Sequence, residues 1–394
     1  MAERRGVASG RRWVWGLLPL FLLAGLIGLF VRFDPTGPFR AAFPPLEELT
    51  IERVTFPEPG TMEVHLVNGG PEASTIAQLQ VDVAYRLFEI DGSLTIPRLG
   101  RRTLTVAYPW LEGEPHQVTI VTSTGLTFTR VVEVATLTPR PNARYLGTFT
   151  LLGLYAGVVP VLLGLLWFPF LRRVDRRWLH FFLSLTLGLL IFLGVDALEE
   201  ALETAERVPG AFQGVGLTLI GVSVAVLALR ALGEAGDRAP TRAVSRLRIA
   251  YLIAVGIGLH NLGEGLAIGA AYSVGEIALG SFLVIGFALH NTTEGLAIVA
   301  PVAGDRPGLR KLAGMGATAG LPTIGGAWIG GFSYSPIAAT LFLALGAGAI
   351  FQVVWVVGKL VHREWPQGIF EPLNAGGLAL GLLLMYGTAL LVVA

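Results

Sequence analysis

Two stretches thirty positions apart repeat one pattern: His260-Asn-Leu-Gly-Glu264-Gly-Leu-Ala-Ile268 and His290-Asn-Thr-Thr-Glu294-Gly-Leu-Ala-Ile298. Each sets a histidine and a glutamate at i and i+4, with an asparagine at i+1. On a helix the His and Glu share one face and the Asn lies at its edge. Imidazole nitrogen beside carboxylate oxygen suits a divalent ion such as Zn²⁺ or Fe²⁺. Both stretches lie in apolar segments, where an ionisable group is costly and generally functional. The competing reading is a structural network in which His and Asn bond carbonyls across packed helices. Duplication of the whole trio inside two apolar segments favours the metal.

The composition says what kind of element carries these trios. Over 394 residues the chain is 53% hydrophobic and 14% charged, with a mean hydropathy of +0.64, far more apolar than a soluble domain. A net charge of +1 gives no electrostatic case for a nucleic-acid partner. The absence of cysteine excludes a disulfide framework and a thiolate metal site. Abundant glycine fits membrane helices packed backbone to backbone, and Gly265 with Gly269 makes one such small-residue step.

Three regions follow. Residues 1–32 hold an apolar run, Trp13 to Val31, after Arg4, Arg5, Arg11 and Arg12. The run has about the ~20 residues of a span and no Ala-x-Ala cleavage site, so an uncleaved membrane anchor is expected. Residues 33–143 change to short alternating runs, such as Leu49–Phe56, Met62–Val67, Leu79–Tyr85, Leu104–Tyr108, Gln117–Thr122 and Leu126–Val134. Turn signals at Pro57–Gly60, Asn68–Pro71, Asp91-Gly92 and Thr124-Gly125 separate them, which predicts an extracytoplasmic β-sandwich. It loosely resembles immunoglobulin-like modules through Val67-Asn-Gly-Gly and Tyr108-Pro-Trp110. His65 and His116 fall here and are read as ordinary strand histidines.

Residues 144–394 contain apolar spans near 146–171, 179–201, 212–232, 249–272, 277–302, 311–332, 336–360 and 373–393. Their connectors alternate in charge. Arg172–Arg177, the stretch with Arg238, Arg242, Arg246 and Arg248, Asp305–Lys311 and Lys359–Arg363 are basic, and the others are nearly free of Lys and Arg. Positive loops stay inside. The expectation is a multi-pass protein of the cell (inner or plasma) membrane, with a cytoplasmic N-terminus, the β-domain outside and the C-terminus outside.

Eight spans, a basic loop after the third, and His-Asn-x-x-Glu-Gly on both the fourth and fifth resemble the Zrt-/Irt-like (ZIP) family of divalent-metal transporters. The ZupT-like branch is the nearest in pattern. The resemblance covers about Tyr145 to Ala394 and implies an α-helical polytopic membrane protein, an eight-helix bundle preceded here by the anchor and the β-sandwich. By position it implies that His260, Glu264 and Glu294 line the central metal site, with Asn261, His290 and Asn291 as neighbouring ligands. It implies transport of a divalent metal, Zn²⁺ first and Fe²⁺, Mn²⁺ or Co²⁺ as alternatives, with the ion as substrate and no cofactor or catalytic residue. Expected partners are the bilayer, that ion, a second copy of the chain, and an unidentified extracytoplasmic partner of the β-domain.

Departures are visible too. Gly263 and Thr293 stand where the family has proline, and the sixth span reads Ala319-Gly-Leu-Pro-Thr-Ile-Gly-Gly326 with no acid. Asp196, Glu199, Glu200 and Glu203 form an acidic stripe at i, i+3, i+4 and i+7, either a cation-attracting mouth or a solvated helix end. These departures and the added β-domain support an alternative, a metal-responsive sensor that binds without transporting. An intramembrane hydrolase is disfavoured because no His-Glu-x-x-His is present.

Overall fold

The computed structural model describes residues 6–33, 46–235, 242–305, 307–364 and 370–393. Arg4, Arg5, Arg238 and Arg306, which carry part of the loop-charge argument, lie outside the described residues. The chain divides into two compact units, Met1–Leu46 and Glu47–Ala394. The first contains helix α1, Gly6–Phe33, with an apolar stretch Leu17–Phe30. The second contains nine strands and then a helical bundle.

The strands are β1 (Leu49–Glu58), β2 (Thr61–Asn68), β3 (Ser74–Val81), β4 (Ala84–Arg86), β5 (Phe88–Ile90), β6 (Thr95–Ile96), β7 (Arg101–Ala107), β8 (His116–Thr122) and β9 (Thr127–Val132). One sheet has the order β1-β2-β7-β5, the other β4-β3-β8-β9 with β6 paired to β3. Inward residues of both sheets, including Met62, Val64, Leu104, Leu79, Val118 and Ile120, form one buried core. All pairings are antiparallel.

The run expected as one strand over Leu79–Tyr85 is a hairpin. It reverses at Asp82 and Val83, both at positive φ (51° and 66°), a conformation that costs a β-branched residue roughly 1–2 kcal/mol. The Asp82 carboxylate holds the turn. Its Oδ2 accepts from Tyr108 O–H at 2.6 Å and lies 2.8 Å from His116 Nδ1, and its Oδ1 accepts from Gln117 N–H at 2.8 Å. Burial opposes ionisation there, but these bonds win and keep the Asp82 carboxyl below its usual range. The residues behind the immunoglobulin-like resemblance are also structural. Buried Asn68 donates to Glu72 O and Ile96 O and accepts from Gly70 N–H, and Trp110 Nε1 donates to Glu58 O and Thr61 O across the β1–β2 turn.

His65 is an interior strand histidine, 2.9 Å from Thr55 Oγ1 and 3.3 Å from Thr103 Oγ1. Burial, then the Arg53 charge, push its pKa from 6.5 down to about 4, against the weaker pull of Asp91. Between these values the unfolded chain binds a proton that the folded domain refuses. Stability is therefore complete above about pH 6.5 and falls as pH drops towards 4, by ~1.4 kcal/mol per unit at most. We expect His65→Gln to flatten that slope. Pulse proteolysis of the β-domain in the full chain between pH 7 and pH 4 measures it, and equal slopes in both proteins would refute the assignment.

The bundle consists of α2 (Ala143–Leu171), α3 (Arg176–Glu206), α4 (Gly214–Ala235), α5 (Arg242–Ser273), α6 (Ile277–Val299), α7 (Leu309–Ser333), α8 (Pro336–Glu364) and α9 (Pro372–Val393). Capping chemistry fixes several starts. Asn142 Oδ1 accepts from Tyr145 N–H at the head of α2, and Pro336 and Pro372 open α8 and α9, where a missing N–H is harmless. Among the described residues, seven helices are long and apolar enough to cross a membrane. Of helices α1 to α9, two lie outside that set: α1, whose apolar stretch Leu17–Phe30 is shorter than a full span, and α7, whose apolar content is diluted by Gly314, Gly316, Gly320, Gly325, Gly326, Gly330 and Gly331 and by Arg310 and Lys311.

Those glycines have a packing purpose. A Cβ on Gly265 of α5 would lie 2.0 Å from Thr323 O, and one on Gly330 of α7 would lie 2.1 Å from Leu266 O. The α5 and α7 backbones therefore touch, as the Gly265/Gly269 step predicts. The bundle sorts by packing into α2, α5, α6 and α7 on one side and α3, α4, α8 and α9 on the other, joined chiefly through α5 against α8. The β-sandwich lies at the end of the bundle that carries the α3–α4, α5–α6 and α7–α8 loops.

Candidate metal centre

The two trios converge. Helices α5 and α6 are antiparallel neighbours, and all six predicted residues are buried between them and the surrounding helices. One ligand atom each from His260, His290 and Glu294 falls within 4.8 Å of the others. Glu264 sits beside this group, engaged by both imidazoles. Its Oε1 lies 3.1 Å from His260 Nε2 and also meets His290 Nε2, while its Oε2 accepts from Asn291 Nδ2 at 2.8 Å.

The unused atoms define the chemistry. Both oxygens of Glu294, Oδ1 of Asn261, Oδ1 of Asn291 and Nδ1 of His260 are buried without a hydrogen-bond partner. Asn261 lies within interaction range of Glu294 but does not reach hydrogen-bond geometry. Most of these atoms are acceptors, and a buried carboxylate with no donor is expensive. A cation placed among them satisfies several at once and also offsets the carboxylate charge, which a neutral donor does not.

Backbone features outside the motifs aim the amides. Pro160 in α2 has no N–H for the carbonyl four residues earlier, Ala156 O, and that carbonyl accepts from Asn291 Nδ2 at 2.9 Å instead. A π-helical turn at Leu154–Val158 adjoins this break, a device common at functional sites. Asn261 Nδ2 donates to Ala319 O of α7 at 3.1 Å. Both amide nitrogens are thus committed, at least in part, to backbone, and the oxygens are left over. Pro322 frees Thr318 O in the same way. Gly258 leaves room for it, since a Cβ there would come within 2.3 Å. The motif positions that lack the family's proline are both helical, with Gly263 packed against Leu343 of α8 and Thr293 bonding back to His290 O.

The acidic stripe is not confined to a solvated end. Solvent-accessible Asp196 feels the charges of His260, His290 and Glu264, and Glu200 feels those of His260 and Glu264. Glu200 and Glu203 also line a cavity of about 430 Å³ between the bundle and the β-sandwich. Gly263, Leu266 and Ala267 of α5 line it too, adjacent in sequence to Glu264, while the β-domain contributes Arg53, Arg130 and Thr136 among others. The Pro160–Ala156–Asn291 connection and the role of the β-domain in this cavity are absent from the sequence reading. An interior proline in an apolar span was the one available signal for the first.

Comparison with protein-family models and with curated proteins gives no match to this chain.

Proposed function

We propose that this chain carries a divalent transition-metal ion, Zn²⁺ first, across the cell membrane into the cytoplasm through the centre on α5 and α6, as its resemblance to ZIP transporters implies. The observation that carries the reading is Glu294, a buried carboxylate whose oxygens have no hydrogen-bond partner, within ligand distance of two imidazoles. An ion gathered from the β-domain end passes Glu203, Glu200 and Asp196 and exchanges its water for His260, His290 and Glu294. Glu264 then supplies the second negative charge, which neutral groups cannot. The asparagine oxygens add dipoles at the edge of the site. Two carboxylates balance one divalent ion, so one ion per chain is expected. Imidazole must be neutral to bind, so metal affinity should fall as pH drops.

In this reading α7 spans the membrane with the seven more apolar helices, and α1 is a separate anchor. The basic loops lie inside and the β-sandwich outside. The natural absence of cysteine makes the orientation testable. In intact cells an impermeant thiol reagent should label the Ser123→Cys protein in the β-domain and spare the Leu309→Cys protein at the start of α7. Labelling of the second and not the first would invert the topology.

A sensor that binds without transporting is the second reading, favoured by the docking of the β-sandwich on the bundle. Reconstituted vesicles separate the two. Saturable ⁶⁵Zn²⁺ uptake that is lost in Glu294→Ala supports transport, and tight binding with no uptake supports the sensor.

A further inference from the structure

We propose that the β-sandwich is a clamp: it ties the two sets of helices together across their outer end and has to release the α3–α4 loop for the cavity beneath it to open. The role in ion movement rests on the transport reading; the clamp itself does not.

The β-domain grips both sets. On the α3–α4 side, Glu48 Oε1 accepts from Gly210 N–H at 2.7 Å. A Cβ on Gly69 would lie 2.9 Å from Pro209 Cβ, so the β2–β3 loop is seated directly on that loop. On the other side the grip is at the α5–α6 loop. Gly275 has φ +84°, and a Cβ there would lie 2.8 Å from Thr136 Cγ2 and 3.1 Å from Val134 O. Thr136 belongs to the segment that runs directly into α2, so this grip is reinforced by the chain itself. Between the two, Arg130 of β9 donates to Ile51 O and Glu52 O and lines the cavity together with Arg207 and Tyr334. Burial, the largest influence, pushes the Tyr334 phenol pKa up against the pull of Arg207 and Arg130.

The two grips are unequal. The α5–α6 grip is backed by covalent continuity through α2, whereas among the described residues the α3–α4 grip shows one hydrogen bond and one van der Waals seam. The metal ligands sit on α5 and α6, while the acidic stripe and Leu343 belong to the opposite set. Access that alternates between two faces requires one set of helices to move against the other. Any such movement at this end shears the Glu48–Gly210 contact.

Cross-linking tests the clamp. In the cysteine-free chain, Gly69→Cys/Pro209→Cys sets two Cβ atoms 2.9 Å apart, so the two loops need to part by roughly half an ångström or more to take up disulfide geometry. Oxidation should lower Zn²⁺ uptake into proteoliposomes at least tenfold, reductant should restore it, and either single variant should ignore the oxidant. Undiminished uptake with the cross-link complete would overturn the proposal. A second measurement needs no transport. With Ala267→Cys on the cavity wall, adding Glu48→Ala should raise the alkylation rate of the introduced thiol several-fold. An unchanged rate overturns the clamp. A raised rate in a protein whose reduced form moves no metal retains the clamp and removes the transport reading.

Discussion

Glu264→Ala and Glu294→Ala should each lose at least about 100-fold in Zn²⁺ affinity and show no uptake above empty vesicles. Removing one partner of a buried charged contact costs ~3–5 kcal/mol, because the remaining charge stays desolvated and uncompensated, and ~1.4 kcal/mol is a factor of ten. Here the remaining charge is the ion. The isosteric Glu294→Gln separates charge from shape, since an amide oxygen fills the same place with a dipole only, and it should fall near the alanine variant. Asn261→Ala and Asn291→Ala should be milder, because each loses a dipole and no charge. Elemental analysis of the purified proteins reads the outcome directly: one ion per wild-type chain, and none retained after either glutamate is removed. Normal uptake by Glu264→Ala at normal protein levels would eliminate this centre as the transport site. Two tightly held ions per chain would contradict the charge balance.

The second large effect should come from a single methyl group. Gly265→Ala puts a Cβ 2.0 Å from Thr323 O and 2.8 Å from its carbonyl carbon, both backbone atoms of α7 that no rotamer change can move. Helices α5 and α7 must separate, and overpacking that displaces backbone costs ~1–3 kcal/mol. We expect thermal unfolding in detergent to drop by many degrees, together with weakened Zn²⁺ binding because Glu264 is the adjacent residue. Gly387→Ala in α9 is the control. Its Cβ would have no neighbour within 4 Å, and alanine is the better helix former. Equal melting temperatures for the two variants would show that the α5–α7 backbone contact is not what holds this pair.

Much of the architecture is legible without coordinates, for identifiable reasons. Most ends of α2 to α9 fall within a few residues of the apolar runs, because length and punctuation are local properties. But α5 begins seven residues before its run, at Arg242, and α3 ends five residues after its run, at Glu206, because charged turns extend both helices. The duplicated His-Asn-x-x-Glu also survives inspection, since i and i+4 spacing on antiparallel neighbours brings two faces together. Failures come where a rule is broken locally or where contacts are remote. Val81-Asp-Val83 reads as strand, and only the three bonds to Asp82 explain how a valine is held at positive φ. Strands β5 and β6 are too short to leave a period. The sequence of the acidic stripe gives no sign that Glu200 and Glu203 stand on the wall of a cavity. That cavity joins strands near position 130 to helices beyond 330, and no window of sequence contains both.

The bond from Asn291 to Ala156 O has a consequence for anyone who would transplant this chemistry. Grafting the two motifs onto another antiparallel helix pair would copy every ligand and still leave the second amide unaimed. Its orientation is set by the Ala156 carbonyl, which Pro160 leaves without its usual helical donor. The smallest portable unit is therefore four helices, because α2 aims Asn291 through Ala156 O and α7 aims Asn261 through Ala319 O, and neither of these two contributes a ligand.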